Sequence, residues 1–214
     1  MDKTFLKAVV FTAAALALTS CSSSEPAKTA EVKTDDTSKK APAGPPEPVL
    51  AKTAFYEMYT PAHKWAPDMM PLSLKSGEIS GIKNADGKAG LWTAVFGSAS
   101  LMQARTYTYA VADELPSITK GVKAESPEAW RGPTTTAQTF QTSDFMIDSD
   151  AAYKTAATKA ADWLKDSANA GKPVSMTLGS AARFPTPVWY IVFGTEKNGY
   201  QAFISATTGN VITK

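Results

Sequence analysis

The sequence predicts an α+β fold: two tandem α-β-β-β repeats packed together, each a helix followed by antiparallel strands. Three observations carry this expectation. Trp92-Thr-Ala-Val-Phe-Gly97-Ser98 returns 97 residues later as Trp189-Tyr-Ile-Val-Phe-Gly194-Thr195. Upstream, in the same order, Phe55-Tyr56 is matched by Ala152-Tyr153, Trp65 by Trp163, and Pro71-Leu-Ser-Leu by Pro173-Val-Ser-Met. Helical spacing precedes each strand block, and period-two alternation runs through it.

The chain divides into 1–20, 21–48, 49–112, 113–147 and 148–214. At the start, Lys3 and Lys7 flank an apolar run from Ala8 to Leu18. A charged start, a short apolar stretch and small residues before a junction are the parts of a secretory signal. The run falls well short of the roughly 18 residues a membrane span needs. The single cysteine follows in Leu18-Thr19-Ser20-Cys21. This resembles the lipobox of bacterial lipoproteins, which implies acylation of Cys21 and membrane attachment through an N-terminal lipid. Three acyl chains, as in that family, exceed the two-signal threshold for stable anchoring. Ser22 stands where an Asp tends to retain Gram-negative lipoproteins at the inner membrane. The resemblance therefore implies the outer membrane, facing the periplasm, in a Gram-negative cell.

Residues 22–48 hold no aromatic residue, one large aliphatic residue (Val32) and five prolines. Such a composition offers little burial to offset ordering entropy, so a disordered tether of roughly 30 Å r.m.s. span is expected. Aromatic residues begin abruptly at Phe55, which places the folded part at about 49–214.

Within the second repeat, Asp148, Ser149 and Asp150 offer N-cap oxygens and negative charge at a helix start. Tyr153, Ala157, Ala160 and Leu164 then share one helical face, and Gly171-Lys172-Pro173 stops the helix. In the first repeat Phe55, Tyr59 and Ala62 form the same stripe. Pro61 there predicts a kinked helix or a helix–turn–helix. Strands are expected at 71–75, 91–97 and 104–111, and again at 173–178, 187–195 and 200–205. Trp92, Ala94 and Phe96 share one strand face, as do Trp189, Ile191 and Phe193, and both faces should pack on the helices. Asn198-Gly199 signals a two-residue hairpin, and Gly209-Asn210 a turn into a final strand, Val211–Thr213.

The stretch Pro187-Val-Trp-Tyr-Ile-Val-Phe, with Ala206-Thr-Thr-Gly-Asn-Val-Ile at its end, resembles the close of a PepSY domain. The helix start at Asp148-Ser-Asp-Ala-Ala-Tyr is similar too. The likeness covers about 148–213 directly, and 51–112 through the internal repeat. Ser205 stands where that family often has Asp, and the first copy lacks the Thr-Gly turn. PepSY-like units are similar in fold to the β-lactamase-inhibitor-protein architecture. The resemblance implies a non-catalytic module that binds or inhibits envelope or secreted proteins. The alternatives are a structural or assembly lipoprotein of the outer membrane and a cell-wall glycan binder.

Several chemistries lack support in the residues. With 22 Lys+Arg against 20 Asp+Glu, mixed along the chain, no basic face for nucleic acid is expected. One Cys and one His make no His/Cys metal site, and no cofactor motif occurs. Ser117-Ile-Thr-Lys120 matches the S-x-x-K of penicillin-binding enzymes but lacks that chemistry's companion motifs. Asn84-Ala-Asp86-Gly87 has Ile82 and Thr93 at the anchor positions of a calcium loop, so a hairpin turn is the better reading. His63 has no recognisable nucleophile placed near it. No enzyme is expected.

Candidate partner-binding residues are Arg105, Tyr107 and Tyr109 on one strand face, Trp130 and Arg131 in the connection, and Tyr190 opposite Trp189. Tyr, Trp and Arg dominate interface hot spots. The competing expectation is that this second sheet face packs on the other repeat and that Trp130 plugs the seam.

Overall fold

The computed structural model describes residues 44–184 and 186–213. The signal segment, Cys21 and nearly all of the tether lie outside them. Helix α1 (Ala51–Trp65) is followed by β1 (Met70–Gly77), β2 (Leu91–Ser98) and β3 (Gln103–Ala110). Short strands β4 (Gly121–Ala124) and β5 (Glu128–Ala129) come next. Helices α2 (Ser149–Lys159) and α3 (Ala161–Lys165) then lead into β6 (Val174–Gly179), β7 (Val188–Phe193) and β8 (Tyr200–Ser205). The fold is α+β, and the six strands read from the repeat lie within one or two residues of their expected bounds. Val188 begins β7 and Phe193 ends it, so 187–195 was read slightly too long.

The two repeats form one continuous antiparallel sheet in the order β4-β3-β2-β1-β6-β7-β8, with β5 also on β3. At its centre the equivalent strands β1 and β6 pair through Ser73↔Gly179, Leu74↔Leu178 and Lys75↔Thr177. Antiparallel pairing of equivalent strands is what a two-fold relation produces. Lys75 and Thr177 are 102 residues apart, as are Pro71 and Pro173, so the pseudo-two-fold axis passes at that pair. Joining the repeats edge to edge also removes two open sheet edges.

One face of this sheet is covered by both helices. Trp92, Ala94 and Phe96 are buried there, with Trp189, Ile191 and Phe193, against Phe55 and Met58 of α1 and Ala152 and Ala156 of α2. The two tryptophans meet edge to face across the repeat boundary, centroids 6.4 Å apart. Each buried indole needs a hydrogen-bond partner. Trp92 donates to the Val49 carbonyl at 3.1 Å, and Trp189 to the Ile147 carbonyl at 2.9 Å. Each acceptor lies two residues before a helix, so the repeated Trp fixes where the chain enters its helix.

The helix starts also meet. Asp148 accepts a hydrogen bond from its own helix at Ser149 N (2.7 Å) and another from Lys52 N of α1 (3.0 Å). Ser149 Oγ accepts from Ala51 N at 3.0 Å, in a buried position. Leu50, at the N-cap of α1, has no capping side chain of its own. The second repeat therefore supplies acceptors that the first lacks, satisfying N–H groups that every helix start leaves free.

Several expectations are corrected or narrowed. Of the two alternatives at Pro61 the helix–turn–helix falls: a single helix runs through the proline, with Phe55 and Met58 buried before it and Ala62 after it. The second helix breaks at Ala160, and its buried stripe is Ala152, Ala156 and Ala160, while Leu164 is exposed. Ala160 was expected in the stripe, and Tyr153 and Ala157 flank it, partly buried against the core. The β7–β8 loop has six residues, closed by Phe193↔Tyr200, so Asn198-Gly199 does not form a two-residue turn. A Cβ on Gly199 would lie 2.3 Å from the Phe193 carbonyl oxygen, which accounts for that glycine. Val211 makes only an isolated bridge with Ile204, not a strand. The segment 113–147, which connects the repeats, carries β4 and β5 at the sheet edge and buries Phe140 and Phe145 in the core.

Candidate functional site

The sheet face away from the helices is open to solvent over much of its area. Period two places Thr93 and Val95 of β2, Thr106 and Thr108 of β3, and Ser73 and Lys75 of β1 on it. From the second repeat it takes Ser175, Thr177, Tyr190, Val192, Gln201 and Phe203. Half of these side chains are small and hydroxylated. Among the rest is an aromatic cluster on β7 and β8.

Tyr190 and Phe203 are a cross-strand pair, with rings stacked at 4.9 Å and 21°. Phe184, from the loop before β7, adds a third ring at 5.7 Å from Phe203. The Arg183 guanidinium lies over Phe184 at 4.6 Å and over Phe203 at 5.4 Å. Such stacking orients the cation without neutralising it. Beside the cluster runs a groove of about 470 Å³ whose floor includes Leu72 and Val188. Thr136 and Ser180 stand at its rim, brought together because Gln138 N donates to the Ser180 carbonyl at 2.9 Å. Burial raises the Tyr190 phenol above its ordinary range, and the negative charge of Glu196 adds to the effect.

The same two strand positions in the first repeat are occupied differently. Trp92 pairs with Tyr109 as Trp189 pairs with Ile204, so the equivalents of Tyr190 and Phe203 are Thr93 and Thr108. Those two also form a cross-strand pair. The fold therefore does not require rings at these positions.

Tyr190 is the candidate that lies in this cluster, half-buried. Arg105, Tyr107 and Tyr109 do share a strand face, but it is the helix-covered one. Tyr107 is 1% exposed and packs against Phe96 at 5.7 Å, so it belongs to the core and is withdrawn as a docking residue. Its hydroxyl is buried and meets no hydrogen-bond partner at full geometry among the described residues. Burial raises its pKa, partly offset by the nearby Arg105 charge. Tyr109 packs half-buried against the same core. Arg105 bridges Trp65 and Tyr107 with its guanidinium and donates from Nε to the Glu125 carbonyl at 2.7 Å, which ties β3 to the chain after β4.

Trp130 lies on the open face, its ring about 3.0 Å from where a Gly97 Cβ would stand. A glycine at that point of β2 makes room for the ring, and the exposed Leu101 and Met102 are close by in sequence to β3. Arg131 is exposed beside it. Trp130 thus covers the β2 end of the open face, remote in strand order from the β7–β8 cluster. The expectation that it plugs a seam between two packed repeats fails, because the repeats join edge to edge.

Phe184, Phe203 and Arg183 were missed. Phe203 alternates correctly with the buried Ala202 and Ile204 and was legible as a residue of the open face. Arg183 and Phe184 sit in a loop, where no periodicity indicates which way a side chain points.

A second cavity, about 670 Å³, lies between the β1–β2 connection and the segment after α3. Glu78, Lys83, Asp86, Tyr153, Trp163 and Lys172 line it. Lys172 is occupied, stacked 5.2 Å from the Trp163 ring centroid and bonded to Asn169 Oδ1. The turn at Asp86-Gly87, bridged by Ala85↔Lys88, is the expected hairpin. Ser117 and Lys120 fall in a turn closed by Glu114↔Ile118, so the serine does not open a helix beside the lysine. No helix among the described residues is long and apolar enough to cross a membrane.

No protein-family model matches the chain, and no curated protein matches it. Among solved structures, the fold is similar to one described as a "putative lipoprotein" from Clostridium difficile. The match has 9% identity and a TM-score of 0.43, covering 75% of this chain and 90% of that one.

Proposed function

We propose that this chain is a lipid-anchored cell-envelope protein whose folded part is a non-catalytic protein-binding or inhibitory module, using the open face of its sheet. Anchoring rests on Cys21 and the signal-like segment before it. The observation that carries the binding role is the inequality of the two repeats: Tyr190 and Phe203 stand on β7 and β8 where Thr93 and Thr108 stand on β2 and β3. Two half-exposed rings on a sheet face cost solvation that threonines avoid, and the scaffold evidently forms with either. Trp130 adds a large ring at the other end of the same face, and such rings are the usual anchors of protein interfaces.

The test is affinity capture from envelope extract, comparing the native chain with a Trp130→Ala/Tyr190→Ala variant of unchanged circular dichroism. The expected result is a partner retained by the first and lost by the second. Capture of the same proteins by both would refute the open face as the docking surface. Anchoring is tested separately with Cys21→Ser, which should abolish palmitate labelling and release the protein from membranes. Cell-wall glycan binding is the second reading, favoured by the mixture of rings and hydroxyls around the groove. Sedimentation with purified peptidoglycan separates the two.

A further inference from the structure

Resting on the protein-docking reading, we propose that the partner segment entering the β7–β8 groove presents an acidic side chain next to an aromatic or aliphatic one. Among the described residues that line this groove, Arg183 is the single charged side chain. Its guanidinium is exposed yet held in orientation by two rings, at 4.6 and 5.4 Å. A planar fork fixed in this way is suited to a carboxylate, which it can grip through two parallel N–H···O bonds. It lies over Phe184 and Phe203, and Leu72 and Val188 line the same groove, which gives the neighbouring side chain an apolar surface. A cationic group is disfavoured there by the arginine. Lys75, exposed at the centre of the same sheet face, extends the positive character toward β1 and favours further acid in the segment. The symmetry of the fold again serves as an internal control: the first repeat has neither the ring pair nor an arginine stacked on it at the equivalent place, so the combination is peculiar to the second.

The probe is 3-phenylpropionate, which joins one ring to one carboxylate, compared with its neutral isostere 3-phenylpropionamide. Each is titrated into the isotope-labelled full chain in lipid nanodiscs and followed by backbone amide shifts. The acid is expected to shift the amides of Gly179, Ser180 and Val188, and to bind about tenfold more tightly than the amide. Arg183→Gln, an exposed substitution, should erase that difference. Phe203→Thr, copying the residue found at Thr108, should abolish binding of both. Equal affinity for acid and amide, shifts spread over other faces, or displacement of the acid by inorganic phosphate would overturn the proposal. If the titration succeeds while Trp130→Ala/Tyr190→Ala captures the same envelope proteins as the native chain, the docking reading fails and the ligand chemistry of the groove stands. If the titration fails, the ligand chemistry falls whatever the capture experiment returns.

Discussion

Ser149→Ala removes one oxygen, and the structure gives that oxygen an unusual duty. Ser149 belongs to α2, but its Oγ accepts from the backbone of Ala51, the first residue of α1, at 3.0 Å. Both residues are fully buried, so water cannot replace the lost acceptor. An orphaned buried donor costs about 1–3 kcal/mol. In a chain of this size each kcal/mol lowers the melting temperature by about 2–4 °C, so the expected drop is roughly 2–12 °C. Asp148→Ala should cost a similar amount, because Asp148 caps its own helix and also accepts from Lys52 N. The two losses should not add, since both loosen the same helix start. Asp150→Ala is the control. Its carboxylate is exposed and, among the described residues, bonds only Ala151 N, so no more than about 1 kcal/mol is at stake. Urea denaturation followed by tryptophan fluorescence reads all three. An unchanged midpoint for Ser149→Ala, or an equal drop for Asp150→Ala, would refute the claim that the second repeat caps the first.

Tyr107→Phe removes a buried hydroxyl that has no hydrogen-bond partner among the described residues and should leave stability unchanged or raise it by about 1 kcal/mol; a loss larger than that in urea would show that the hydroxyl is satisfied. Gly87→Ala should destabilise by at least about 1–2 kcal/mol, because Gly87 has a φ of +82° and an added Cβ would lie 2.4 Å from the Ser149 carbonyl oxygen; a melting temperature within 1 °C of native would count against the close approach of this turn to α2 (about half a kcal/mol at most). Asp68 accepts from the Ser100 backbone and the Ser98 hydroxyl, which lowers its pKa below the ordinary carboxylate value. A folded-state pKa below the unfolded one stabilises above the unfolded value, and that contribution disappears as pH falls through the folded value. Asp68→Asn should therefore reduce the loss of stability between about pH 4 and pH 2, and identical acid profiles for variant and native chain would contradict this assignment.

How far the sequence could be read depended on the kind of signal. Period two is local, so the strand bounds and the sharing of a face by Trp92, Ala94 and Phe96 followed from residue spacing alone. The same parity put Arg105, Tyr107 and Tyr109 together correctly, yet alternation does not say which of two faces a helix will cover. Tyr107 was therefore legible as a neighbour of Arg105 and illegible as a core residue. The helix start at Asp148 was readable because capping acts within a few residues. Its second role, capping a helix 98 residues away, depends on how the repeats come together. Phe140 and Phe145 reach the core from a turn-rich segment in which no periodicity marks them.

The chain by itself determined an internal duplication, the α-β-β-β order of its unit, the positions of its paired tryptophans and the composition that sets 22–48 apart. Those properties are written in short-range patterns, where spacing fixes direction. Tertiary structure decided that the repeats join through β1 and β6 into one sheet, that the helices occupy a single face, and that Arg183, Phe184, Tyr190 and Phe203 converge on the other. These outcomes turn on which apolar surfaces bury each other across long separations, and that is a property of the packed molecule that no local pattern contains.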